Sequence, residues 1–183
     1  MIHGTHNALE DSRNEHILIS INDELFPRNE ARISVFDAGY LVGDGVWEGL
    51  RLHHGKLIFW DDHMDRLYAG AKTIGLNIGC NTSDLLKSVQ HVLHANNMVD
   101  GVHVRIMVTR GIKKTPSQDP RLTISGPNIV IIAEYKEANP KSSNKGITLF
   151  TSTIRRGSPD YLDPRLNCHS KIHEVQALIQ ALE

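Results

Sequence analysis

A mixed α/β fold, of the α+β kind, is what this sequence predicts, and three observations predict it. Val46–His53 and Lys56–Phe59 are strand-like runs joined through His54-Gly55, the pattern of a hairpin. Met64, Leu67, Ala71 and Ile74, then Leu85, Leu86, Val89, Val92 and Leu93, recur at helical spacing. Val102, Val104, Ile106 and Val108 alternate with polar residues, and Ile129–Ala133 is unbroken apolar, the signature of a strand buried on both faces.

The elements follow in order. Residues 1–16 form a polar N-terminal tail. Ile17–Asn22 and Glu24–Phe26 are short strands around a turn at Asn22-Asp23. Ile33–Phe36 is extended and is broken by Asp37-Ala38-Gly39-Tyr40. The hairpin leads into a helix over Asp62–Ile74, capped by Asp61 or Asp62. A second helix is opened by Thr82 or Ser83 and stopped by Asn96-Asn97. The strand at 102–109 and the central strand at 129–133 flank a long loop over 112–127. Residues 17–136 are therefore one domain, and 137–144 have linker composition. A new unit starts at 145, with a strand over Ile147–Ile154, a loop to Asn167 and a helix over Ser170–Leu182.

Composition excludes several classes. With 183 residues, 40% hydrophobic, 22% charged and a net charge of -1, nothing favours a nucleic-acid surface. Cys80 and Cys168 read as two separate thiols in a reducing compartment rather than a disulfide scaffold. The first sixteen residues carry no apolar h-region, and no run approaches the ~20 apolar residues of a membrane span. The expected setting is cytoplasmic, with no membrane partner. Eleven histidines invite a metal reading, and His169 and His173 stand at i,i+4. They lack a third ligand at metalloprotease spacing, so no metal site is expected.

Asp44-Gly45-Val46-Trp47-Glu48-Gly49-Leu50-Arg51, followed by His63-Met64-Asp65-Arg66-Leu67, resembles the N-terminal domain of the fold-type IV pyridoxal-phosphate aminotransferases. That family includes branched-chain and D-amino-acid aminotransferases and aminodeoxychorismate lyase. The resemblance covers about residues 17–183, and the family fold continues beyond them, so residues 145–183 are expected to begin a second, cofactor-binding domain. It implies pyridoxal 5'-phosphate as cofactor, an amino acid and a 2-oxo acid as substrates, and a homodimer.

The resemblance also assigns roles. Arg66 would bind the cofactor phosphate, which a guanidinium's planar fork suits; the alternative is a surface arginine paired with Asp62. Trp47 and Glu48 would lie at the substrate side, with tryptophan where D-amino-acid enzymes often carry tyrosine; Gly49 is more like branched-chain enzymes. The alternative for Glu48 is an ion pair with Arg51. Arg105 and Arg110 are candidates for the substrate carboxylate, or else solvent-facing strand arginines. The chemistry needs a Schiff-base lysine. On the family frame Asn167 occupies its position, and Lys171 lies one helical turn, about 6 Å, further on. Lys171 reaching back, Lys171 shifted into place, and Asn167 with no Schiff base are the three alternatives. The rival functions are a lyase that eliminates pyruvate and a non-catalytic relative.

Overall fold

The computed structural model describes residues 10–137 and 144–182. Its centre is a six-stranded sheet in the order β2-β1-β6-β5-β3-β4, every pair antiparallel. The strands are β1 (Leu18–Ile21), β2 (Glu24–Pro27), β3 (Gly45–His53), β4 (Lys56–Leu57), β5 (Val102–Thr109) and β6 (Asn128–Tyr135). The unbroken apolar run is thus one of the two central strands, as expected, but it is not buried on both faces: only Ile131 and Ala133 are buried, because no helix covers the other face of the sheet among the described residues. The turn residues Asn22 and Asp23 take positive φ (53° and 67°), as do His54 and Gly55 (47° and 74°), the pair of left-handed residues that a two-residue hairpin turn requires.

Helices α2 (Trp60–Thr73) and α3 (Thr82–Ala95) lie together on one sheet face, α2 against β3 and α3 against β6 and β1. The core fills the space between. Leu50, Val104, Ile106 and Ile131 come from the sheet, Met64 and Leu67 from α2, and Leu85, Val89 and Val92 from α3, all at most 1% exposed. Burying each such side chain contributes about 1.5–3 kcal/mol. The other sheet face, carrying Trp47, Gly49, Arg51, His103 and Arg105, has no helix over it among the described residues.

Local chemistry moves several expected boundaries. Phe59, in a left-handed conformation (φ 55°), precedes α2 without a side-chain cap, and Asp61 and Asp62 instead sit in its first turn, where carboxylates favour the helix N-terminus. Asn81, not Thr82 or Ser83, caps α3 by accepting from the Asp84 amide. The break after Phe36 is a short helix, α1 (Ala38–Val42), capped by Asp37. Part of the expected tail is fixed: the Asn14 side chain exchanges two hydrogen bonds with the Tyr135 backbone (both 2.8 Å).

The expected strand at Ile147–Ile154 does not form. A strand needs a ladder, and this segment pairs with none among the described residues; Leu149 is 83% exposed. Helix α4 (Ile172–Leu182) does form but starts two residues later than expected, because 167–169 pairs with β3 instead. Lys171 therefore precedes the helix and does not stand one helical turn from Asn167, and α4 buries no side chain. Most of the expected linker, 138–143, lies outside the described residues.

Candidate active site

The site is assembled where β3 meets the segment 167–169. Trp47 donates its backbone N–H to the Asn167 carbonyl (3.0 Å), and the Asn167 side chain returns a bond to the Trp47 carbonyl (2.7 Å). The His169 amide donates to the Gly45 carbonyl (3.0 Å), and Val46 pairs antiparallel with Cys168. This short stretch therefore extends the sheet beside the start of β3. Two glycines permit it. A Cβ on Gly45 would stand 2.5 Å from the Val108 carbonyl oxygen and 3.2 Å from the His169 ring. One on Gly39 would stand 2.5 Å from the Thr109 methyl.

The Trp47 ring lies on the open sheet face, its indole N–H donating to the Cys168 carbonyl (3.1 Å). Two cations attend it. The Arg105 guanidinium carbon lies 4.2 Å from the ring centroid, and the Lys171 ammonium 5.6 Å. Both distances are within cation–π range. Arg105 arrives there because it faces Gly49 across the β3–β5 ladder, two positions along from Trp47. The His103 ring packs over Gly49, where a Cβ would meet its Nε2 at 2.9 Å.

Glu48 points the other way, as the strand period demands. It is fully buried and accepts two bonds from Arg66, Nε to Oε1 and Nη2 to Oε2, both 2.6 Å. The His63 ring nitrogen Nδ1 lies 2.7 Å from Oε2. The Arg66 side chain is half exposed, and its Nη1 has no hydrogen-bond partner among the described residues. Its salt bridge raises the Arg66 pKa further. Between Trp47, where the pairing with 167–169 ends, and Arg51, whose carbonyl accepts from the Ile58 amide (2.9 Å), residues 48–50 carry no strand partner on this edge of β3 among the described residues. Strand alternation puts the Trp47 and Glu48 side chains on opposite faces of the sheet at this edge.

Of the residues singled out from sequence, Trp47, Arg105 and Lys171 thus meet on one face, and Glu48 and Arg66 on the other. Arg66 pairs with Glu48, not Asp62. Glu48 does not pair with Arg51, which lies three residues on, across the strand, and donates to the Lys136 carbonyl. Arg110 is placed elsewhere: its guanidinium is taken up by Asp44 (2.6 and 2.9 Å) and by the Ile74 and Gly75 carbonyls, and it braces the turn after α2. It follows Thr109, the last residue of β5, and so escapes the strand's alternation. Sequence reading missed the Asn167 clasp, His63, and the buried Asp37. Asp37 accepts from Gly39, Thr109 and Asn128 and ties α1 to the two central strands. Only the His63–Arg66 helical spacing could have signalled any of these. Burial of His169 lowers its pKa from its ordinary value of 6.5, with a bond to the Val46 carbonyl opposing the shift. The two cysteines are free, and no helix of the described residues is long and apolar enough to cross a membrane.

Comparison with known proteins places this geometry. The family model described as amino-transferase class IV matches residues 45–183. The branched-chain-amino-acid aminotransferase-like protein 1 of Arabidopsis thaliana is 34% identical over 95% of this chain and 31% of its own length. The putative branched-chain-amino-acid aminotransferase of Methanocaldococcus jannaschii is 34% identical over 89% of this chain and 55% of its own. The chain spans about half the length, or less, of these relatives. Among solved structures, the branched-chain aminotransferase from the thermophilic archaeon Thermoproteus uzoniensis, with norvaline, shares the fold. Its TM-score is 0.69 at 18% identity, over 90% of this chain and 56% of that one.

Proposed function

This chain belongs to the amino-transferase class IV family, and we propose that it works with pyridoxal 5'-phosphate to move an amino group between a branched-chain amino acid and a 2-oxo acid. The observation that carries this reading is the convergence of Arg105 and Lys171 on the Trp47 ring, next in sequence to the Glu48–Arg66 pair. In this reading residues 17–136 are the first domain, 137–144 the linker, and 145–183 the start of the cofactor-binding domain.

The donor set suits the cofactor. The outward edge of Arg66 offers charge-assisted N–H groups to a phosphate, with Glu48 and His63 fixing its direction. Lys171 offers a primary amine on the Trp47 face of the same sheet edge. Arg105 offers a second guanidinium for the carboxylate that amino acid and 2-oxo acid share. When bound, the cofactor supplies an electron sink for charge developing at the substrate Cα. Lys171 Nζ is the group that carries the proton, and the Trp47 ring beneath it sets its position. Asn167, on the lysine frame of the family, clasps the Trp47 backbone and leaves the amine chemistry to Lys171, four residues on at the foot of α4. Arg110 serves as a brace. The exposed apolar residues Ile33, Val35, Phe36 and Tyr40, on one continuous stretch, support a homodimer. Two free thiols accord with a reducing compartment such as the cytoplasm.

The test is an absorbance spectrum of the purified chain with added pyridoxal phosphate, wild type against Lys171→Ala. A visible band unlike that of free cofactor, lost in Lys171→Ala and bleached by L-leucine or L-valine, is expected. A wild-type spectrum identical to free cofactor would favour the non-catalytic relative, in which Asn167 replaces the lysine outright.

A further inference from the structure

We propose that His53, His54 and Asp100 form a surface site for a divalent d-block cation of the zinc, cobalt or nickel class. The three side chains each place one donor atom within 4.8 Å of the others. They come from two turns at the same end of the sheet, the β3–β4 turn and the one between α3 and β5. The site is six residues along β3 from Trp47, roughly 20 Å at strand rise, and shares no residue with the cofactor reading.

The backbone organises the set. His54 and Gly55 both have positive φ, which closes the hairpin in two residues and brings the adjacent imidazoles to a centroid separation of 4.0 Å. The Gly55 amide donates to the Val99 carbonyl (2.9 Å), tying the hairpin to the second turn. Asp100 is held by two amides, from His54 (2.9 Å) and Gly101 (2.8 Å), both on Oδ1. Its Oδ2 accepts from no backbone amide among the described residues and lies 3.3 Å from His54 Nδ1.

The distances leave only a weak hydrogen bond between the side chains themselves and match the separation of donors around one ion. His53 Nδ1 stands 3.2 Å from Asp100 Oδ1, and His54 Nδ1 3.3 Å from Oδ2. Charge-assisted bonds close to about 2.7–2.9 Å. Donors held 2.0–2.2 Å from one tetrahedral ion lie roughly 3.4 Å from one another. Two imidazoles and a carboxylate are borderline ligands suited to zinc, cobalt, nickel or copper rather than to magnesium or calcium. Both histidines are exposed and Asp100 is half-buried, so water completes the coordination and the ion exchanges with solvent. Binding would cross-link two turns and stabilise the sheet end by mass action.

The full chain is titrated with Co2+ and Ni2+, following binding by calorimetry and the unfolding temperature. Wild type, His54→Asn and, as a control for the other histidines, His91→Ala on α3 are compared. Asparagine tolerates the left-handed backbone at 54, so the turn survives while the imidazole is lost. One ion per chain, a raised unfolding temperature, at least tenfold weaker binding in His54→Asn and unchanged binding in His91→Ala are expected. Paramagnetic broadening of wild-type amide signals by Co2+ should centre on 53–55 and 99–101. Unsaturable binding, equal affinity in His54→Asn, or broadening centred elsewhere would overturn the proposal.

Discussion

Glu48 is a carboxylate with no exposed surface, satisfied by Arg66 on both oxygens and by His63 on one. Removing Arg66 strands that charge beside a single imidazole. Breaking a buried pair from one side costs about 3–5 kcal/mol. Because Arg66 itself is half exposed, Arg66→Ala should sit near or below the lower end, about 2–3 kcal/mol in urea unfolding, with cofactor retention lost as well. Glu48→Gln combined with Arg66→Met should cost less than the sum of the single changes, since the two share one interaction. The identity of these residues was legible in sequence, but their partners were not. Arg66 had Asp62 at helical spacing, and nothing in the order of residues says that a strand carboxylate eighteen positions earlier faces the same space. Lys171 is a further case. Its spacing from Asn167 was read as one helical turn, but 167–169 docks on β3 as extended chain and the helix starts only at Ile172; what the structure adds is that the amine lies over Trp47.

At the level of secondary structure, the strands and both core helices followed from periodicity, because their apolar stripes are buried inside this chain. The segment Ile147–Ile154 has the same apolar character but no ladder partner, and composition alone cannot supply one. The docking of 167–169 on β3 was also hidden, being made of backbone bonds and of room left by glycine. Gly45→Ala puts a methyl against the Val108 carbonyl, so it should destabilise the chain by about 1–3 kcal/mol and loosen the 167–169 segment, seen as faster amide exchange there. His169 gives this docking a pH dependence. Its folded pKa is below the unfolded value near 6.5, so the unfolded state binds the proton first as pH falls. The contribution is intact above pH ~6.5 and is lost as pH drops through the lowered folded value. Protection factors at 167–169, taken relative to intrinsic exchange at each pH, should therefore fall on acidification, and His169→Asn should flatten that fall.

Across the chain as a whole, burial is uneven. The sheet with α2 and α3 holds the core, whereas α4 leaves Ile172, Val175, Leu178, Ile179 and Leu182 between 48 and 60% exposed. A helix that buries nothing draws little stability from packing. Amide exchange in α4 should be orders of magnitude faster than in β5 and β6, and an added partner that covers its apolar face should slow it. The proposed chemistry stands or falls on Lys171, and not another amine, serving the cofactor in this chain. Borohydride reduction of the cofactor-loaded protein, followed by peptide mapping, decides this at the level of a single side chain. A pyridoxyl mass is expected on the peptide carrying Lys171, with none on the same peptide in Lys171→Ala. A modification confined to other lysines, or no modification at all, would contradict the assignment.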